Sequence, residues 1–70
     1  MRARIFTTGQ TAVIMPADDA TLSVSFKIDV MHMMPMEEHQ DTGSIHVPKR
    51  CLKRLRALAA DHQIEILPST

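Results

Sequence analysis

"TLSVSFKIDV", residues 21–30, is the stretch on which the fold turns. Leu22, Val24, Phe26, Ile28 and Val30 alternate with Thr21, Ser23, Ser25, Lys27 and Asp29. A period of two puts successive side chains on opposite faces of a pleated strand, so the spacing predicts a half-buried strand. Upstream, "RARIF" (2–6) and "TAVIM" (11–15) read as the two arms of a hairpin. Gly9 in "TTGQ" supplies the turn between them, and Pro16 with "PADD" closes the second arm. Downstream, the alternation decays at 31–36, where methionines occupy both parities and Pro35 ends any central pairing. "EEHQDTGS" (37–44) reads as a polar loop and "SIHV" (44–47) as a short strand. The helix "PKRCLKRLRALAADH" (48–62) opens on Pro48, and "QIEIL" (63–67) returns as a strand before Pro68. The expected fold is therefore α+β: a small, mostly antiparallel sheet of about five short strands with one amphipathic helix packed on it. The expected order is β-β-β-β-α-β, within a single small domain spanning 1–70.

Size limits what such a chain can do. At 70 residues, with Phe6 and Phe26 as its only aromatics apart from histidine, it has a thin core. A core of this size supplies only about 3–5 kcal/mol of net stability unless something supplements it. Cys51 is the only cysteine, so no disulfide forms within the chain. A partner chain or a homodimer is the expected supplement. A lone thiol, with no leader-like segment and no long apolar run, leads to the expectation of a cytosolic protein without a membrane role.

The formal charge is zero, but the halves differ. Residues 1–46 carry three cations against six carboxylates, a balance of −3. Residues 47–70 carry Lys49, Arg50, Lys53, Arg54 and Arg56 against Asp61 and Glu65, a balance of +3. Charge asymmetry of this kind points to an anionic partner for the basic end.

On a helical wheel, Cys51, Leu52, Leu55, Leu58, Ala59 and His62 share one arc of about 120°, and the five cations take the opposite side. Their placing costs stability. Cations in the first helical turn are disfavoured by about 0.3–1 kcal/mol each. The like-charge pairs Lys49/Lys53 and Arg50/Arg54 add roughly 0.2–0.5 kcal/mol apiece. A helix shaped by folding alone would avoid this, so Lys49, Arg50, Lys53, Arg54 and Arg56 are the candidate binding surface for a protein partner or another anion. Ala57, with no bulk, sits in the middle of the basic arc, so binding there would be driven by charge. A solvated basic face that only aids solubility is the plainer alternative.

Three functional readings follow. The first and favoured one is a small non-enzymatic regulator, antitoxin-like or a phage- or plasmid-encoded inhibitor, that binds a protein through this helix. The second comes from "MRARIFTTGQTAVIMP" (1–16). Through Phe6, Gly9, Ala12, Val13, Met15 and Pro16 it resembles the opening hairpin of the swapped-hairpin AbrB/MazE/VapB group of transcription regulators and antitoxins. Ile14 stands where that group carries an arginine. The resemblance implies an intertwined homodimer that binds operator DNA; on charge alone, Arg2 and Arg4, with Lys49, Arg50 and Lys53, are the expected phosphate contacts. The segment 45–59 also looks like the strand and first helix of a ribbon-helix-helix repressor, a family that needs a second helix after it.

The third reading concerns "MHMMPMEEH" (31–39), where Met31, His32, Met33, Met34, Met36 and His39 have the thioethers and imidazoles that suit Cu(I). In an extended strand Met31 and Met33 would share one face and His32 and Met34 the other. That two-plus-two split favours packing over metal, and no cofactor is expected. Cys51 falls on the buried arc, and no nucleotide loop, zinc spacing or acid–base pair stands out, so the chain is not expected to be an enzyme.

Overall fold

A computed structural model describes residues 1–68. In chain order the elements are β1 (Arg2–Thr8), β2 (Thr11–Pro16), α1 (Val24–Met33), β3 (Glu37–His39), β4 (Ser44–Pro48), α2 (Leu52–Asp61) and β5 (Glu65–Ile66), with a 3-10 turn at Lys49–Cys51 leading into α2. The fold is α+β: one five-stranded mixed sheet in the order β3-β4-β2-β1-β5 and two helices. Neighbouring strands are antiparallel except β1 and β5.

The main correction to the expected order falls on 21–30. From Val24 on the segment is helical, which makes the order β-β-α-β-β-α-β and adds a second helix. Two physical facts explain the misreading. Residues two apart in a helix lie about 200° apart around the axis, so a strict alternation splits into two opposite stripes. One stripe, Leu22, Phe26, Val30 and Met34, recurs every fourth residue and is buried in the core, with Phe26 and Val30 wholly inaccessible. The other, Val24 and Ile28 continued by Met31, faces solvent at 69%, 45% and 59% exposure. Ser23 begins the helix by accepting a hydrogen bond from the Phe26 amide at 3.2 Å. A Ser immediately before a helical run is a strong start signal. The period-two pattern masks it.

Smaller shifts accompany this one. The polar loop expected at 37–44 contains β3, and the strand expected at 63–67 pairs only at Glu65 and Ile66. At the hairpin tip, Gly9 takes φ +59 between the paired Thr8 and Thr11, as the first central residue of a type II′ turn does. The Lys49 amide donates to the Gln10 carbonyl and ties this tip to the entry of α2.

Both helices cover the same face of the sheet. Ala3, Ile5, Ala12, Ile14, Ile45 and Val47 meet Phe26 and Val30 from α1 and Leu55, Leu58 and Ala59 from α2 in one core. The helices are joined at the surface by His62, whose ring nitrogen lies 2.7 Å from an Asp29 carboxylate oxygen and whose ring meets Phe26 edge-on at 5.4 Å. α2 ends in a Schellman arrangement: the Gln63 amide donates to Ala60 and the Ile64 amide to Ala59, with Gln63 at φ +60.

Candidate functional site

The helix expected at 48–62 is α only over Leu52–Asp61, with Lys49–Cys51 as the 3-10 turn before it, and together they present their sides as the wheel predicts. Cys51, Leu55, Leu58 and Ala59 are buried, Leu52 and His62 are half-buried, and Lys49, Arg50, Lys53, Arg54, Arg56 and Ala57 are exposed. The helix carries no acidic residue in its first turn and no side-chain cap, so nothing there offsets the cations at its start. The ion pairs among the described residues lie elsewhere: Arg2 with Asp18, Lys27 with Glu38, His39 with Glu37 and His62 with Asp29. None of the five cations takes part in them.

The tertiary structure divides this face in a way the wheel alone does not show. Arg56 and Leu52 line a groove of about 350 Å³ along the edge of β1, with Ile5, Phe6 and Thr7 as its other wall. Arg50 lines a separate groove of about 490 Å³, bounded by Gln10, Thr11, Pro48, Met36 and His46. Lys53 lies three residues from both Arg50 and Arg56 and neighbours each, and Arg54 neighbours Arg50 four residues on. Arg56 and Arg50 thus stand beside two separate depressions, with Lys53 between them on the outer side of the helix.

The uncovered face of the sheet holds a second group that sequence reading missed. The strand registers place Arg4, Phe6, Val13, Met15, His46 and His39 on it. His39 and His46 stack with ring centroids 3.8 Å apart and planes 17° from parallel. The Ser44 hydroxyl lies 3.2 Å from the His46 ring nitrogen and 2.7 Å from the Thr42 hydroxyl. Ser44 is buried, so this hydroxyl orders the β3–β4 turn and is closed to a substrate. The only available signal was the parity of His39, Ser44 and His46, which needs the register of β3 to be known. Of the two proposed DNA contacts, Arg2 is paired to Asp18, and Arg4 stands on this open face.

The methionine-rich stretch is not a strand. Met31, His32 and Met33 form the last turn of α1, which places Met31 and Met33 on different sides of the helix. Met34 is buried in the core, Met36 packs against it, and His39 is stacked on His46. The six residues named for Cu(I) are thereby spread over a helix surface, the core and the sheet. Among the described residues, no group of three His, Cys, Asp or Glu could hold a metal ion. No helix is long and apolar enough to cross a membrane. Comparison of the chain with protein-family models, with curated proteins and with solved structures gives no match.

Proposed function

We propose that this chain is a non-enzymatic regulatory protein that binds an acidic surface of a protein partner through the exposed side of α2. The observation that supports this is the set of five exposed cations within residues 49–56 that have no anionic partner among the described residues, although the chain carries as many carboxylates as cations. Arg2 and Lys27 are neutralised by Asp18 and Glu38, whereas Lys49, Arg50, Lys53, Arg54 and Arg56 repel one another along one helix. Such an arrangement raises the free energy of the isolated chain, and an anionic partner relieves it. Protein is favoured over nucleic acid because the rest of the chain carries a net negative charge, which weakens attachment to a polyanion.

Lysine-specific cross-linking in cells that make the protein tests this, since Lys27, Lys49 and Lys53 are its only lysines. The expected result is cross-links from Lys49 and Lys53, but not Lys27, to one acidic protein. They should survive nuclease and disappear in the Arg54→Glu, Arg56→Glu double variant. Cross-links that vanish on nuclease treatment would replace this reading with the operator-binding one. Products joining Lys49 or Lys53 to the same residues of a second copy would make the partner a homodimer mate.

A further inference from the structure

The two edges of the sheet are treated very differently. β3, at one edge, is three residues long and carries Glu37, Glu38 and His39, which is how natural sheets discourage further strands. At the other edge β5 pairs with β1 only at Arg2 and Ala3, although β1 continues to Thr8. The direction of the uncovered backbone groups follows from the bonds present. The Arg2 carbonyl accepts from Ala17 beyond β2, and the Met1 and Ala3 carbonyls accept from Glu65 and Leu67 on the β5 side. Even-numbered residues of β1 therefore turn their backbone groups toward β2 and odd-numbered ones toward β5. Past Ala3, Ile5 and Thr7 present N–H and C=O to an edge that no described strand pairs.

This edge is the floor of the groove whose other wall is Leu52 and Arg56. Its sequence, "IFTT" from Ile5 to Thr8, carries no charge and no proline to repel an incoming strand. Phe6, 42% exposed, lies beside the edge on the open face and offers an aromatic surface to side chains of an added strand. Arg56, with Lys53 next to it, stands above the same edge on the helix side. We infer that an extended acidic segment of the partner adds as a sixth strand to β1 at Ile5–Thr7, with its carboxylates against Arg56 and Lys53. This rests on the reading of α2 as a binding face, and it specifies the partner's conformation and chemistry. Backbone bonds to Ile5 and Thr7 supply affinity, and the alternating side chains supply selectivity: acidic toward the helix, apolar toward Phe6.

The probe is the peptide Glu-Val-Glu-Val-Glu-Val-Glu, followed by amide hydrogen exchange and NMR on the intact chain. Binding should slow exchange at the Ile5 and Thr7 amides and leave Arg4 and Phe6, already bonded to β2, unchanged. Arg56→Glu should weaken binding about fivefold or more, since it replaces an attraction by a repulsion. The Thr7 amide points out of the sheet, where proline is tolerated, so Thr7→Pro should keep the fold and abolish binding. If that variant unfolds, a peptide N-methylated at alternate residues removes the same bonds from the other side. Binding that depends on Arg56 without protection of Ile5 and Thr7 would overturn strand addition and leave the α2 reading standing. No peptide binding, with the Lys49 and Lys53 cross-links intact, would likewise defeat this inference alone. Loss of the cross-links as well would defeat both.

Discussion

α1 and α2 are both ten-residue helices on the same face of one sheet, yet only α2 announces itself in the sequence. α2 keeps its apolar residues on one side and its charges on the other, which is the pattern a surface helix is expected to show. α1 is apolar on both sides: Leu22, Phe26, Val30 and Met34 are buried, while Val24, Ile28 and Met31 are exposed. Two opposite stripes cancel any helical periodicity and leave a residue-by-residue alternation that looks like a strand. Amphipathic pattern therefore reports a helix only when its outer side is wet. An exposed apolar stripe hides the helix and at the same time marks a surface that solvation alone does not account for.

The sharpest way to break this comparison is to alter the two stripes of α1 separately. A strand would place Phe26 and Ile28 on one face and make both essential. In the helix, Phe26→Ala should cost about 3–5 kcal/mol, enough to unfold much of a domain this small. Ile28→Asp should change stability by about 0.5 kcal/mol or less, as surface substitutions usually do. Urea denaturation of the two variants decides between the assignments, and equal losses would restore the strand. A smaller effect probes how α1 begins. Ser23→Ala removes the hydroxyl that accepts from the Phe26 amide and should lower the unfolding free energy by about 1 kcal/mol; a strand has no use for that bond, and an unchanged midpoint would count against the cap. A change of opposite sign is expected at the far end of α2, where Gln63 holds φ +60 in the position that glycine usually fills. Gln63→Gly should raise stability by about 0.5–1 kcal/mol, the left-handed strain relieved being partly offset by added freedom in the unfolded chain. A lowered melting temperature in that variant would contradict the Schellman geometry.

The candidate site was legible in part. Lys49, Arg50, Lys53, Arg54 and Arg56 could be placed on the outer side of α2 from spacing alone, because helical geometry is local. The placing of Arg56 beside the β1 groove and of Arg50 beside the Met36–His46 groove could not, because it depends on which strands lie beneath each side of the helix. The His39–His46 stack was invisible for a similar reason: β3 is only three residues long, and its register with β4 comes from pairing across a turn. The methionine stretch was misassigned together with α1, since its first three residues continue that helix.

By itself the sequence determined the elements whose signals are local. These are the hairpin around Gly9, the short strand ended by Pro48 and the one-sided helix after it. It also determined the gathering of positive charge on one side of that helix. Only the tertiary structure decided what 21–33 becomes. A five-stranded sheet is about 20 Å wide, since strands lie about 4.8 Å apart. A helix covers a band of roughly 10 Å, so α2 alone would leave half of the apolar face in water. Folding 24–33 as a second helix brings Phe26 and Val30 into one core with Ile14 and Ile45, at the expense of leaving Val24, Ile28 and Met31 exposed. Burial against a surface that the rest of the chain creates therefore overrides a local alternation equally compatible with a strand.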